Sequence, residues 1–410
     1  MPAQLLRDSA AQLAAEAPLP APGSISAADL EPRLVKESFA RVAAAGPTAI
    51  EYFYARLFVA NPAIRSLFPM SMTAHREHMF AALTRTISSL DSPAASAEIL
   101  GQLAREHRKY GVTDRHHRAF FTALRDTVEH YAGLGWSSEI AAAWQVAVDY
   151  ISVTMRAAAE LDTVTAPPWW VAEIVAHELR SPGVAVIRLR PTEPLHYRAG
   201  QYVPVQVTRW PRVWRPYSIA TAPRRAGLIE LHVKAIPGGL VSNSLVYHSG
   251  IGDCVLLGAP AGEMALTDTD RDLLCVAGGT GLAPIKAIIE QAIATPTRSR
   301  HRKITLFFGV RQQFDLYDFD DLQLLASAFP SLRVLPVLSD EPGYMGLTGR
   351  LPDVMSGHGL FEGTEAYVCG PPAMVCQTTA LLAASIPAGQ IHQDPLPEAG
   401  SRKASALVAG

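Results

Sequence analysis

The residues that could do chemistry fall into a histidine-bearing first third and a remainder rich in glycine turns. In the first third, His107 follows Leu103 by one helical turn and precedes Tyr110 by almost one turn. A helix would therefore present an imidazole between apolar groups, and a neutral imidazole can ligate haem iron. Because the chain has 13 histidines, a core or surface position is the more ordinary explanation of this pattern taken alone.

Glycine-rich turns mark two places where a phosphate group could bind. GGTGLAP (278–284) stands between a short apolar strand and a helix predicted from Pro284. Glycines there let the backbone approach a pyrophosphate, and the helix N-terminus attracts its charge. GGLVS (238–242) precedes a helix predicted to start near Ser242 and suits the same kind of group. Such turns are common, so each is a weak signal by itself.

RPYS (215–218) combines three groups that suit a flavin. The planar guanidinium of Arg215 can pair with a pyrophosphate, Tyr217 can pack on an isoalloxazine ring, and Ser218 can hydrogen-bond to it. A barrel strand with an incidental arginine and a core tyrosine would show the same residues.

The order of these three motifs, followed by VCGPP (368–372), resembles the ferredoxin–NADP reductase superfamily over about residues 168–398. The resemblance implies FAD, and NAD(P)H as the electron donor. It implies flavin contacts from Tyr202, Arg215, Pro216, Tyr217 and Ser218. It implies contacts to the FAD diphosphate from Gly238, Gly239, Val241 and Ser242. It implies a nicotinamide nucleotide site made by Gly279, Thr280, Gly281, Leu282, Ala283, Pro284, Cys369, Gly370 and Pro371.

The segment GPTAIEYFYARLFVANPAIRSLFPM (46–70) resembles the globin stretch that carries a distal tyrosine and a haem-contacting phenylalanine. Matching by residue places Tyr54 and Phe68 in these roles, and the spacing from Phe68 makes His107 the implied iron ligand of haem b. The phenol of Tyr54 would donate a hydrogen bond to O2 as it gains negative charge. An interior helix tyrosine is the alternative reading of Tyr54.

A globin followed directly by this reductase is the domain order of flavohaemoglobins, and the chain resembles a divergent, actinobacterial-type branch of that family. HREHMFAAL (75–83) matches the distal helix. His75 and Met79 share a face and replace the family's usual glutamine and leucine. His75 would donate to a bound ligand, and direct coordination of the iron by His75 is the alternative.

The remaining departures from the family pattern also lie near cofactors. The family places a tyrosine and a glutamate beside the proximal histidine, where they strengthen its imidazolate character. Here His117 takes the tyrosine position, on the buried face of its helix, and Ala159 takes the glutamate position. Glu160 is rotated by about 100° from that place. A phenylalanine usually covers the flavin near the end of the family's reductase, and here Leu396 takes its position.

The elements that must position these residues change character twice along the chain. Helical periodicity over 28–163 predicts an all-α globin domain, and alternating strands over 168–268 predict an antiparallel β-barrel for FAD. Strands alternating with helices over 269–398 predict a parallel α/β nucleotide domain. Residues 1–27 and 399–410 are predicted to be mobile tails.

Composition limits the partners. A formal net charge of -2 excludes the basic surplus typical of nucleic-acid binding. The four cysteines show no spacing for zinc or an iron–sulfur cluster. The sequence has no apolar run of about 20 residues, so no integral membrane segment is predicted. We expect a cytoplasmic monomer without a signal peptide.

The resemblance implies a nitric oxide dioxygenase that uses O2 and nitric oxide. Two alternatives stay open: a flavohaem oxidoreductase acting with another donor, or on peroxides or lipids, and a non-enzymatic gas or redox sensor. The choice between NADH and NADPH is also open. Arg311 could reach a 2′-phosphate, whereas Asp315 and Asp318 would oppose one.

Overall fold

The computed structural model describes residues 25–69, 72–224, 227–295, 302–359 and 361–394. The chain divides into two compact units, one ending at Pro168 and the next beginning at Trp169. Leu396 and most of both predicted tails lie outside the described residues.

The first unit is helical. Three of its helices start with proline, which suits the first position of a helix because its missing N–H would have no partner there. Ser137 caps the last helix by accepting a hydrogen bond from the backbone N–H of Ile140. The helices are α1 (Pro32–Ala45), α2 (Pro47–Ala60), α3 (Thr73–Ser88), α4 (Pro93–Arg108), α5 (Asp114–Ala132) and α6 (Ser138–Thr165).

The core of the first unit is built from the apolar faces that the sequence pattern shows. Phe53, Tyr54 and Leu57 on α2 are buried together with Trp144 on α6. The indole N–H of Trp144 donates to the hydroxyl of Ser38, 2.9 Å away, which satisfies a buried polar group. The prediction of an all-α globin domain is confirmed.

The second unit begins with a six-stranded antiparallel sheet. Its strands are β1 (Trp170–Ser181), β2 (Val184–Pro191), β3 (Tyr202–Val207), β4 (Arg215–Ser218), β5 (Ile229–Lys234) and β6 (Cys254–Leu257), with helix α7 (Leu240–Tyr247) between the last two. The strands lie in the order β4-β3-β6-β1-β2-β5. Buried and partly exposed residues alternate in β3, as expected of a strand with one face on a core, whereas β2 and β5 are buried at most positions. The prediction of an antiparallel β domain is confirmed.

A parallel sheet follows. Its strands are β7 (Asp272–Gly278), β8 (Ile304–Val310), β9 (Leu332–Leu338), β10 (Leu347–Thr348), β11 (Thr364–Cys369) and β12 (Ile391–His392). They lie in the order β10-β9-β8-β7-β11-β12. The helices are α8 (Leu282–Ala294), α9 (Phe319–Ala328), α10 (Leu351–Ser356) and α11 (Pro372–Leu382). The predicted α/β nucleotide domain is confirmed.

Two helix starts differ from the prediction. Helix α8 begins at Leu282 rather than Pro284, because a 3-10 turn over Gly279–Gly281 runs directly into it. Proline is tolerated in the first turn of a helix, where the backbone N–H groups have no intrahelical partner. Helix α7 begins at Leu240, immediately after the glycine pair, rather than near Ser242.

Candidate functional site

His107 lies in the last turn of α4 with a fixed ring tautomer. Its Nδ1 is 2.7 Å from the carbonyl oxygen of Leu103, so Nδ1 carries the proton and donates it to that oxygen. Burial lowers the pKa of His107, although the bond to Leu103 opposes the shift. The imidazole is therefore neutral at physiological pH, and Nε2 keeps the lone pair that a metal ligand needs.

Tyr54, Phe68 and His75 form an aromatic cluster between α2 and α3. The Tyr54 ring lies 5.7 Å from that of Phe68 and 6.0 Å from that of His75. The rings of Phe68 and His75 are 5.1 Å apart and nearly perpendicular. The structure thus brings together three residues that the sequence analysis assigned to one pocket.

The hydroxyl of Tyr54 is fully buried and has no hydrogen-bond partner among the described residues. Burial raises the pKa of Tyr54 well above its ordinary value, with a small opposing effect from the charge of Arg76. The phenol therefore stays protonated and can donate a hydrogen bond. An unsatisfied buried donor is costly, and such groups are often completed by a ligand.

His75 on α3 lies within electrostatic range of His107. Burial, with smaller electrostatic contributions from His78 and His107, lowers the pKa of His75 to about 4. Met79 follows one turn later on α3 and packs against the globin core. His75 is thus neutral at physiological pH, so one ring nitrogen can donate a hydrogen bond and the other can accept one.

His117 sits in the first turn of α5 with both ring nitrogens buried and without a partner among the described residues. Burial, with a smaller electrostatic contribution from His107, lowers its pKa to about 4. Ala159 packs against the globin core, whereas Glu160 is exposed. The exposed carboxylate therefore does not take over the position that Ala159 leaves without one.

These observations fit a haem in the first unit. Within the described part of the chain, Nε2 of His107 makes no hydrogen bond, and the buried polar atoms of Tyr54 and His117 have no partner. The rings of Phe68 and Phe58 lie 5.3 Å apart beside Tyr54. Sequence reasoning assigned no role to Phe58. Its i, i+4 spacing from Tyr54 was the available signal.

The flavin motif is assembled by strand pairing. In the antiparallel register of β3 and β4, Tyr202 pairs with Ser218 and Val203 pairs with Tyr217. Burial raises the pKa of Tyr217 well above its ordinary value, so its hydroxyl stays protonated. Pro216 is exposed, and Arg215 donates to the carbonyl oxygen of Trp214, 2.9 Å away.

The turn before α7 suits the diphosphate of FAD. Gly238 has a φ of 75°, a backbone conformation that favours glycine, and Gly239 is the N-cap of α7. The hydroxyl of Ser242 is buried without a partner among the described residues, as expected of a group that completes its bonding with a ligand. Val241 is buried in the core and can offer such a ligand only its backbone.

The two nucleotide motifs meet because β7 and β11 are neighbours in the parallel sheet. A Cβ on Gly281 would lie 2.5 Å from the carbonyl oxygen of Cys369, and a Cβ on Gly370 would lie 3.0 Å from backbone atoms of Gly278. Backbones this close leave a bare peptide surface at the carboxyl ends of the strands, where α/β sheets bind nucleotides. The side chains of Leu282, Ala283 and Pro284 are buried, so these residues offer a ligand only backbone groups.

Cys369 and Asp394 lie beside the nucleotide turn. Burial and the charge of Asp394 raise the pKa of the Cys369 thiol to about 12, so the thiol stays protonated. Asp394 accepts hydrogen bonds from the backbone N–H groups of Glu263 and Met264, at 3.2 and 3.4 Å. Asp394 therefore lies against the segment that follows β6.

The structure corrects the expectation that Asp318 would oppose the 2′-phosphate of NADPH. Asp318 is fully buried and its Oδ2 accepts a hydrogen bond from the Lys286 ammonium at 2.7 Å, so it does not oppose a 2′-phosphate near Arg311. Arg311 is exposed just after β8, and Asp315 caps the backbone N–H of Gln312. Sequence reasoning missed Lys286. The signal was a lone lysine within the apolar stretch LAPIKAII.

Three family models match the chain in succession. They are Globin over residues 51–155, Oxidoreductase FAD-binding domain over 172–266 and Oxidoreductase NAD-binding domain over 275–379. The solved flavohemoglobin of Malassezia yamatoensis, with bound FAD and heme, matches with a TM-score of 0.70 at 17% identity. The match covers 88% of this chain and 97% of that chain.

The chain has the flavohaemoglobin fold. Its cofactors are haem for the globin, FAD for the antiparallel sheet and a nicotinamide nucleotide for the parallel sheet. None of the described helices in this flavohaemoglobin fold is long and apolar enough to cross a bilayer.

Other similar proteins include reductases. A Ralstonia ferredoxin–NAD(P)(+) reductase component of naphthalene 1,2-dioxygenase/salicylate 5-hydroxylase systems is 38% identical over 212 residues, which is 51% of this chain and 63% of the relative. The structure of an Amycolatopsis cytochrome P450 reductase matches with a TM-score of 0.51 at 30% identity, covering 55% of this chain and 69% of that chain. The chain spans less than two thirds of the length of the first curated relatives it matches.

Proposed function

We propose that the chain passes electrons from NAD(P)H through FAD to haem and acts as a nitric oxide dioxygenase. The balanced reaction is 2 NO + 2 O2 + NAD(P)H → 2 NO3− + NAD(P)+ + H+. The observation that carries the proposal is the buried hydroxyl of Tyr54, which has no hydrogen-bond partner among the described residues and lies beside His75, itself within electrostatic range of His107.

When bound, NAD(P)H would supply a hydride, FAD would divide two electrons into single ones, and haem iron would bind O2. His107 would hold the haem iron through Nε2, because Nδ1 is engaged by Leu103. The Tyr54 hydroxyl would donate to a ligand that gains negative charge in the pocket, where the low dielectric strengthens the bond. The neutral imidazole of His75 would add a second donor from α3.

In the second unit, Arg215 would pair with the FAD pyrophosphate, and Ser242 with the backbone of Gly239 would complete its binding. The bare backbone at Gly279–Gly281 and Gly370 would hold the nucleotide diphosphate at the start of α8. The reductases among the similar proteins support electron delivery by this half.

The test is NO consumption by the full-length protein loaded with haem and FAD. After anaerobic reduction with NADH, or in parallel with NADPH, NO is added in air-saturated buffer and followed with an electrode. We expect consumption well above that of free haem, an at least tenfold loss in His107→Gly, and no change in His78→Gly, which replaces an exposed histidine of α3. Consumption no faster than that of free haem would contradict the proposal.

One observation favours a second function. Glu160 is exposed, and His117 has no hydrogen-bonded partner among the described residues. The imidazole of His107 then donates a hydrogen bond to the neutral carbonyl of Leu103 and not to a carboxylate. It therefore has less imidazolate character, which weakens the electron donation to iron that activates oxygen. A flavohaem oxidoreductase with another donor, or with a peroxide or lipid substrate, fits this feature. Screening donors by the rate of the Soret shift separates it from the first proposal.

A further inference from the structure

Charged side chains are buried where the two sheets of the second unit come together. Lys286 on α8, Glu230 and His232 on β5, and Tyr317 and Asp318 after β8 are each at most 8% exposed. We name these five residues the Lys286 network. None of them belongs to a glycine turn or to the RPYS motif.

Lys286 is the centre of the network. Its ammonium donates to Oε1 of Glu230 at 3.0 Å and to Oδ2 of Asp318 at 2.7 Å. Burial alone would lower the pKa of Lys286, but the charges of Asp318 and Glu230 hold it above its ordinary value. The lysine therefore remains a cation that joins two carboxylates from different elements.

A second branch runs from Glu230 to Tyr317. Nε2 of His232 is 3.1 Å from Oε1 of Glu230, and Nδ1 of His232 is 2.8 Å from the Tyr317 hydroxyl. With Nε2 protonated, His232 donates to the carboxylate and accepts from the tyrosine. Each of the two branches thus links β5 to the segment that follows β8.

The strands at the edge of the network supply the balancing cations. Arg188 on β2 donates to Oε2 of Glu230 at 2.9 Å, and a guanidinium nitrogen of Arg180 on β1 lies 3.8 Å from Oδ1 of Asp318. Arg180 also pairs with Glu178 and Asp321. Burial would raise the pKa of Glu230, but the hydrogen bond from His232 and the charge of Lys286 hold it below the ordinary value.

The network spans both cofactor-binding regions. Glu230 lies within the match to the FAD-binding model, whereas Lys286 and Asp318 lie within the match to the NAD-binding model. Lys286 follows Leu282, the first residue of α8, by about one turn, and α8 starts directly after the turn at Gly279–Gly281. A bond at Lys286 therefore fixes the start of the nucleotide helix against the flavin-side sheet.

We propose that Lys286 is a positioning residue for hydride transfer: by joining Glu230 to Asp318, it sets the separation between the nucleotide-binding turn and the FAD-binding sheet. This rests on the reductase step of the proposed function and does not depend on NO as the substrate. Precise separation matters because reacting atoms must approach to about 3–3.5 Å, and small misplacements reduce the rate strongly.

The variant Lys286→Met keeps the length of the side chain and removes its charge. In the full-length protein loaded with FAD and haem, we expect anaerobic flavin reduction by NADH, followed by stopped flow, to slow at least tenfold. The long-wavelength charge-transfer absorbance between flavin and nicotinamide should weaken, and the unfolding temperature should fall. Lys234→Met, at the exposed end of β5, is the matched control and should behave as the wild type.

A double variant separates positioning from stability. Lys286→Met with Asp318→Asn removes one of the two buried carboxylates that lose their bond to the lysine, so the unfolding temperature should recover by at least half. The bond between β5 and α8 is still missing, so flavin reduction should stay slow and the charge-transfer absorbance weak. If Lys286→Met does not fold, Glu230→Gln serves in its place. This variant retains the shape of the site and should slow flavin reduction about threefold or more.

Wild-type reduction rates and charge-transfer absorbance in Lys286→Met, or in Glu230→Gln, would overturn the proposal. Recovery of the reduction rate together with the unfolding temperature in the double variant would also overturn it, because the network would then be structural only. Failure of NO dioxygenation shows instead as rapid flavin reduction without NO consumption. Failure of the reductase step shows as wild-type flavin that neither NADH nor NADPH reduces, and it would overturn both proposals.

Discussion

The carbonyl oxygen of Cys369 lies so close to Gly281 that it leaves no room for a side chain there. A Cβ at Gly281 would lie 2.5 Å from that oxygen, closer than any real Cβ contact, and 2.7 Å from the Cα of Gly370. Two motifs separated by almost 90 residues of sequence thus share one surface. The contact requires glycine for space, since the φ of Gly281 is −59° and ordinary for any residue.

Gly281→Ala tests this close approach. Overpacking of this kind costs about 1–3 kcal/mol, so we expect the free energy of unfolding of the second unit to fall by this amount. Flavin reduction by NADH should slow, whereas FAD should remain bound because its motifs are elsewhere. Gly250→Ala is the control, since nothing lies within 4 Å of the added methyl group. Denaturant unfolding and stopped flow measure both effects. Equal stability in the two variants would contradict the packing argument.

Tyr54→Phe tests the distal hydrogen bond. A hydrogen bond to a charged group contributes about 1.5–3 kcal/mol, so we expect the O2 dissociation rate to rise about 10- to 100-fold. Dissociation of CO should change much less, because CO gains little negative charge. Stability should not fall, since the hydroxyl has no partner among the described residues.

Stopped-flow ligand displacement measures both rates for Tyr54→Phe. Tyr52→Phe is the control on the same helix, where the ring stacks on His130 at 4.3 Å and is not part of the aromatic cluster. Equal shifts in the O2 and CO rates would show that the phenol acts by packing rather than by donating.

His117→Phe tests the pH dependence of the globin unit. The pKa of His117 falls from its ordinary 6.5 to about 4 on folding, because burial favours the neutral ring. The unfolded chain therefore binds more protons between these values, so His117 lowers stability as the pH drops from 6.5 towards 4. Wild-type protein should lose about 1 kcal/mol from this residue between pH 7.5 and 5.5.

In His117→Phe that part of the pH dependence should disappear, as measured by denaturant unfolding at the two pH values. His78→Phe, at an exposed position of α3, should retain the wild-type slope. An unchanged slope in His117→Phe would mean that His117 remains protonated, or becomes solvated, in the folded protein.

The local motifs were predictable because each depends on neighbouring residues. Glycine and proline fix the turns at Gly238 and Gly279, and the helical spacing of Leu103 and His107 places the imidazole on a known face. The resemblance supplied the pairing of Tyr54 with Phe68. The sequence predicts the helix starts at Leu240 and Leu282 less accurately, since these starts depend on how a glycine turn joins the helix.

The sequence by itself determined the three-part architecture, the iron-binding histidine candidate and the glycine turns, because periodicity and turn chemistry are local properties. Only the tertiary structure decided which polar groups are buried and with whom. Glu160 is exposed, both nitrogens of His117 are buried, and Asp318 turns inward to Lys286. Burial sets the cost of a charge and the direction of each pKa shift, and burial depends on elements far apart in the chain.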